Sequence, residues 1–468
     1  METKRLSTDD KARRINLDKV VHGTFAEIGA GQEVARRFFL VGGAANTVAK
    51  TISAYDMAVS DAIYGPSDRY VSRRRLESML DHEYELLLER LDAKRGEANA
   101  FFAFADTVAA RSYSRKEEGH GWLGVRFQTA PRSEPNDIII HVRMLDTENT
   151  REQEALGIVG VNLLYGAYYL RENPDELIHS LVDDLTRERI EIDMIRFAGP
   201  AFNHLDPRLM SLKLVELGLT EAAMFTAAGE SVQPGEVLYG KPVLVLRGNF
   251  RPVTNTIMDM LAYAEEQFAR GDGDAAKPLV LMEMTLHNLS GDSGIDPQDF
   301  LARAEILEAL GATVLISNLA HYHSVAVYLK AYTANRIGII VGVPALLSVF
   351  DEKYYGDLEG GILEAFGRLF KSRVQMLAYP AFDPQGGGLI TAESVAVAPP
   401  LRNLYRHLLE NKMIVPIQRY DTSRLGFFPR DVLALIQKGD PAWESRVPAE
   451  VVKLIKQRGY FGLPGGRA

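Results

Sequence analysis

Lys241-Pro-Val-Leu-Val-Leu-Arg-Gly-Asn249, Leu279-Val-Leu-Met-Glu-Met-Thr285, Thr313-Val-Leu-Ile-Ser-Asn318 and Ile337-Gly-Ile-Ile-Val-Gly342 are four short apolar runs, each followed by a segment of helical period. The runs are continuous rather than alternating, as strands of a parallel sheet are when both of their faces are buried. Polar residues gather where each run ends, and ligands of parallel sheets bind at the carboxyl edge of the strands. The stretch therefore predicts an α/β unit with a ligand site at that edge.

Working outward, the same pattern gives eight strand candidates: residues 190–197, 222–226, 243–247, 279–284, 313–317, 337–341, 374–379 and 413–417. An open, mostly parallel, Rossmann-like sheet accounts for them, and eight strands also suit a barrel of the triosephosphate isomerase type. The connection over residues 227–240 is rich in Gly and Pro without a helical pattern, which favours the open sheet. Upstream, residues 73–91 carry apolar residues at helical spacing. Residues 100–106, 122–128 and 137–145 read as strands, and the apolar run 155–170 as a strand passing into a helix. These place an α+β region at residues 1–186, the α/β ligand-binding domain at 187–420, and a tail at 421–468 that packs on the body or on a neighbouring subunit.

The 468 residues are 46% hydrophobic and 25% charged, ordinary for globular material. A net charge of −9 opposes broad adhesion to nucleic acid or anionic membrane. With no cysteine, disulfides, thiolate metal sites and a cysteine nucleophile are excluded. The first residues have no apolar core of a signal peptide, and no apolar stretch reaches the roughly 18 residues that span a bilayer. A cytoplasmic homo-oligomer with a small anionic ligand as its partner is the expectation.

The loop Arg247-Gly-Asn-Phe-Arg-Pro-Val-Thr-Asn255 carries the most chemistry. Two guanidiniums and two amides precede a helix that Thr254 and Asn255 can cap, a setting that suits phosphate or carboxylate. Arg247, Asn249, Arg251, Thr254, Asn255, Asn288, Ser317 and Asn318 are the candidate ligand-binding residues. The plainer alternative pairs the arginines with carboxylates. Glu283, His287, His321 and His323 are candidates for acid–base chemistry, and their N and O donors also fit a metal set. No pair has helical ligand spacing, so we assign no metal, and no cofactor is identified. His141 and Arg143 lie two residues apart on one strand face, and with His120 and Arg126 they form either an anion-binding face or a solvated strand face paired with acids. Asp351, Glu352, Asp357 and Glu359 surround Tyr354 and Tyr355 in a turn. Gly386-Gly-Gly388 reads as a loop or hairpin tip.

His22-Gly-Thr-Phe-Ala-Glu-Ile-Gly-Ala-Gly-Gln32 resembles the nucleotide-binding opening of the nicotinate-nucleotide adenylyltransferases, Gly-Gly-Thr-Phe-Asp-Pro-Ile-His-x-Gly-His. Gly23, Thr24, Phe25, Ile28 and Gly31 match. The resemblance implies a transferase in which two histidines hold the triphosphate of ATP, and Gly29 and Gln32 stand at those two positions here. The whole chain also resembles a bacterial family of similar length that carries the names nicotinate-nucleotide adenylyltransferase and TonB-dependent receptor. The second name implies a barrel of many alternating strands. Three functions follow for testing: an enzyme acting on a small phosphorylated or nucleotide-like ligand, a non-catalytic protein that self-assembles or binds a partner, and the adenylyltransferase of the resemblance.

Overall fold

The computed structural model describes residues 5–111, 118–270, 277–291, 294–371, 373–383, 386 and 388–464. The chain divides into two compact units, Met1–Thr220 and Glu221–Ala468.

The first unit is built on a six-stranded mixed sheet of β1 (Val21–Ile28), β2 (Val48–Ile52), β3 (Ala100–Ala109), β4 (Gly119–Gln128), β5 (Pro135–Met144) and β6 (Ile190–Ala198), in the order β2-β1-β3-β4-β5-β6. β1 runs parallel to both β2 and β3, and the rest is an antiparallel meander. Phe102, Phe104, Val125 and Ile140 point to one face, packed with residues of the helices Thr8–Leu17, Glu33–Leu40 and Asn149–Tyr169. Phe101, Ala103, Trp122 and Ile139 point to the other, against the helix Arg73–Arg95. With both faces covered, the strands lose the alternation of a half-exposed sheet. Each aromatic or aliphatic side chain buried this way contributes about 1.5–3 kcal/mol before the cost of ordering it.

Two expectations are corrected here. Residues 155–170 contain no strand, because Asn149–Tyr169 is one helix buried from Ala155 to Tyr168, and a helix apolar all round has no readable period. Residues 190–197 do not begin the second sheet. As β6 they pair antiparallel with β5, and the helix Pro207–Glu216 packs behind them, so the compact units part at residue 220 rather than 186.

The second unit carries an eight-stranded sheet. Its strands are β7 (Ala222–Phe225), β8 (Ser231–Val232), β9 (Val243–Arg247), β10 (Leu279–Thr285), β13 (Thr313–Ser317), β14 (Ile337–Gly342), β15 (Val374–Tyr379) and β18 (Ile414–Pro416). Two small ribbons, β11 (Ser290–Gly291) with β12 (Gly294–Ile295) and β16 (Ala381–Phe382) with β17 (Leu389–Ile390), lie outside it. The order is β18-β15-β14-β9-β10-β13-β7-β8, and the six strands from β18 to β13 are mutually parallel. β7 and β8 extend the β13 side in antiparallel sense. Neither edge strand, β18 nor β8, pairs with the other, so the sheet stays open and the barrel alternative is not realised. The eighth strand is β8, two residues within the connection from which no strand was expected.

Crossover helices cover both faces. Tyr322–Lys330, Val343–Val349, Gly361–Leu369 and Arg402–Glu410 pack on the face formed by Val245, Leu281, Leu315, Ile339 and Met376. Asn255–Ala269 lies on the opposite face, where Phe268 closes over Gly338. A Cβ at Gly338 would lie 2.9 Å from that ring. Residues 421–464 pack into the same unit, with Trp443, Val451 and Ile455 buried and the helix Ala449–Arg458 against the helix Pro297–Ala309. Gly386 and Gly388 lie in the β16–β17 hairpin, and Gly387 lies outside the described residues.

Candidate functional site

Arg247 and Glu283 are direct partners in the β9–β10 register. Parallel neighbours place their side chains on one face, and here the two meet as a fork. Arg247 Nε donates to Glu283 Oε2 at 3.0 Å, and Nη2 donates to Oε1 at 2.9 Å. Ser317 Oγ, from the end of β13, donates to the same Oε1 at 2.7 Å. Two further guanidinium hydrogens go to Leu319 O at 2.7 Å and Ala320 O at 2.8 Å, and the Tyr322 ring lies 4.8 Å from the guanidinium carbon. Glu283 is fully buried. Arg247 therefore braces three strand ends and is not a free phosphate clamp, which is the carboxylate-paired alternative.

Asn249, Arg251 and Asn288 join a second network on the helix Pro297–Ala309. Arg251 Nε lies 2.6 Å from Asp299 Oδ1, and Arg303 pairs with the other oxygen of Asp299. Arg303 Nη1 also donates to Asn249 O at 3.2 Å and Asn288 O at 3.0 Å. One carboxylate thus serves two guanidiniums, and the Arg251 side chain is 38% exposed. Thr254 caps the helix Asn255–Ala269, its hydroxyl accepting from Ile257 N. Asn255 Nδ2 donates to Ser445 O at 3.0 Å and Thr256 Oγ1 to Arg424 O, so the tail lies over this helix start. Asn318 is exposed at the end of β13, and its amide N donates to Glu221 O at 2.8 Å. Of the predicted residues, Arg247 and Ser317 thus belong to the first network and Asn249, Arg251 and Asn288 to the second, while Thr254, Asn255 and Asn318 join neither.

The four acid–base candidates do not come together. His321 and His323 stack at 5.3 Å, nearly parallel, and both rings lie about 6 Å from Tyr355. Burial, and then the neighbouring His321, push His323 below the usual imidazole range. His287 is exposed on the short helix Leu286–Leu289, and Glu283 is committed to Arg247 and Ser317. Among the described residues no three His, Asp or Glu groups converge as a metal set. Of the turn acids, Asp351 has a structural role, and Glu352, Asp357 and Glu359 are exposed. Asp351 caps residues 352–355, and Tyr355 OH donates to Val349 O at 2.8 Å.

Sequence reasoning missed Asp299 and Arg303. Their i, i+4 spacing in a helical pattern was the available signal. Asp259 left none: it is buried, accepts from Tyr379 OH and, at 3.0 Å, from Asp421 N, and joins residues 120 and 162 positions away. Burial, and then Asp259, raise the Tyr379 phenol.

In the first unit, the glycine turn that follows β1 does lead into a helix N-terminus, at Glu33–Leu40. That terminus is already filled by the chain's own carboxyl group. The Glu27 carboxylate accepts from Val34 N and Ala35 N, each at 2.9 Å. Gly29, at φ 109°, is required by contact, since a Cβ there would lie 1.9 Å from Val108 O.

No protein-family model matches the chain, and no curated protein matches it. Among solved structures, competence/damage inducible protein CihA from Agrobacterium tumefaciens is 19% identical, with 35% of this chain and 97% of that one covered at a TM-score of 0.25. A competence-damaged protein (CinA) superfamily protein from Enterobacter cloacae is 11% identical, covering 36% and 95%, also at 0.25. The competence or damage-inducible protein from Enterobacter asburiae is 12% identical, covering 35% and 98%, again at 0.25. Likenesses this slight carry no argument about function.

Proposed function

We propose that the second unit binds a small phosphorylated or nucleotide-like ligand at the carboxyl edge of β9 and β14. The observation that carries this reading is the strand order. Numbered by their appearance in the chain, the six parallel strands lie 3-2-1-4-5-6, the Rossmann-like arrangement, and the order reverses between β9 and β14. At such a reversal the crossovers leave to opposite faces and open a crevice beyond the strand ends. Here the helix Asn255–Ala269 begins beside it, and a helix start favours an anion by about 0.3–1 kcal/mol, more when partly buried.

The surrounding charges support an anion. Arg251 shares Asp299 with Arg303 and stays partly exposed, while Arg247 makes four hydrogen bonds within the protein and stiffens the rim. Contacts to the ligand then fall to Arg251 and the exposed side chains of Asn249 and Asn318. Thermal unfolding with ATP, NAD, a sugar phosphate or inorganic phosphate tests the reading. A ligand at a hundred times its Kd stabilises by about 2.7 kcal/mol. Wild type should be stabilised by at least one of them, and Arg251→Ala and Asn249→Ala should weaken that effect. If none stabilises the wild type, or both variants bind as tightly as it does, the reading is overturned.

A further inference from the structure

The first unit holds a chain of three titratable side chains that the site above does not use. Asp193 Oδ1 lies 2.6 Å from His141 Nδ1, and His141 Nε2 lies 3.2 Å from His120 Nδ1. Asp193 sits at an irregularity in the β5–β6 register: His141 pairs with Met194 and Val142 with Ile192, leaving Asp193 as the extra residue. Such a bulge re-aims a side chain. Trp122, opposite His141 in the β4–β5 register, holds the imidazole with ring centroids 4.9 Å apart. His141 and Asp193 are buried, whereas His120 is half-buried.

A carboxylate at the end of this chain of contacts sets the tautomers along it. An ionised Asp193 only accepts, so His141 carries its proton on Nδ1. Its Nε2 is then the lone-pair nitrogen, and the hydrogen bond to it must be donated by His120 Nδ1. The remaining nitrogen, His120 Nε2, is left with a lone pair, and among the described residues it has no hydrogen-bond partner. The charges that act on His120 are His141, Asp193, Arg69 and Arg143. Burial first, then His141, hold it down at about 4, with Asp193 opposing, so it is neutral at pH 7. Arg143 is held by Glu118 and Glu191. Arg69 is exposed and lends positive potential.

We propose that Asp193, His141 and His120 form a proton relay in which His120 Nε2 is a general base toward the hydroxyl or water of a small anionic substrate. In the step, the O–H bond breaks, its proton joins His120 Nε2, and the electron pair stays on the oxygen as an alkoxide or hydroxide. The proton on His120 Nδ1 passes to His141 Nε2, and the resulting imidazolium lies against the Asp193 carboxylate, where its charge is stabilised. His120 is the catalytic residue, and His141 and Asp193 position it.

Two measurements on the full chain test this. In nitrogen-15 spectra of histidine-labelled protein at pH 7, His120 should carry its proton on Nδ1 and leave Nε2 bare. In Asp193→Asn the amide can donate to His141 Nδ1, which reverses the relay and puts the His120 proton on Nε2. Reaction with diethyl pyrocarbonate, mapped by mass spectrometry, reads the same nitrogen, because only a bare nitrogen attacks the carbonyl and expels ethyl carbonate. At pH 5, His120 should react while exposed histidines are largely protonated. Asp193→Asn should slow it by at least about tenfold, since the wrong tautomer has no lone pair to offer. A wild-type His120 protonated on Nε2 overturns the proposal without any variant. So does a folded Asp193→Asn protein whose histidine tautomers and His120 reactivity match the wild type.

Discussion

Replacing Glu283 by alanine tests the brace across β9, β10 and β13. The carboxylate is fully buried and accepts two hydrogen bonds from Arg247 and one from Ser317. Its loss leaves a guanidinium that is only 10% exposed, with two carbonyls and an aromatic ring but no counter-charge. Removing one partner of a buried pair costs about 3–5 kcal/mol, because the other charge stays behind. Arg247→Met should cost a similar amount for the mirrored reason. The double variant Arg247→Met, Glu283→Leu removes both charges and fills the space with apolar volume, so it should recover most of the loss. Urea unfolding gives the free energies, and amide exchange in β10 localises the change to this sheet. Single variants that each cost under about 1 kcal/mol, the range of a surface pair, would show that the brace does not hold the edge. A double variant no better than the sum of the singles would refute the coupling.

Glu27 gives a pH dependence. Burial, set against its two helix N–H donors, raises it to about 7 from an ordinary value of 4.5. The folded chain thus holds this proton more tightly than the unfolded chain. The associated stability is complete below pH 4.5 and lost as pH rises through 7, by at most about 3 kcal/mol for the 2.5-unit shift. Urea midpoints from pH 4.5 to 8 should fall on its account, and Glu27→Gln should flatten the slope. Gly29→Ala forces a Cβ into Val108 O at an unfavourable φ and should cost more than about 2 kcal/mol in thermal unfolding. Trp443→Ala empties a buried site in the tail and should cost about 3–5 kcal/mol. Unaltered stability there would mean that residues 421–464 are not part of the unit's core.

Strands of the second unit were legible because burial on both faces leaves a continuous apolar run, as at Leu279–Thr285. Residues 190–197 have the same signature, and local pattern does not say which sheet a strand joins; the hydrogen bonds to β5 decide that. β8 is too short for any period. Among site residues, the sequence indicated which side chains end the strands but not which charge answers which. Arg247 meets Glu283 because of register, and Arg251 meets Asp299 across 48 positions. Convergence of His120 and His141 is legible as an expectation, but Asp193 enters through a bulge, which has no sequence mark of its own.

The two margins of the second sheet bear on how copies of this chain can associate. One margin is β8, two residues long, and the other is β18, three residues ending in Pro416. Proline has no N–H to offer an incoming strand, and so short a ladder gives it little to pair with. Growth of the sheet by lateral addition of a second copy is thereby blocked at both ends. Any assembly of this unit must use side-chain surfaces on its helices and loops, where surface substitutions can dissolve it without disturbing the sheet.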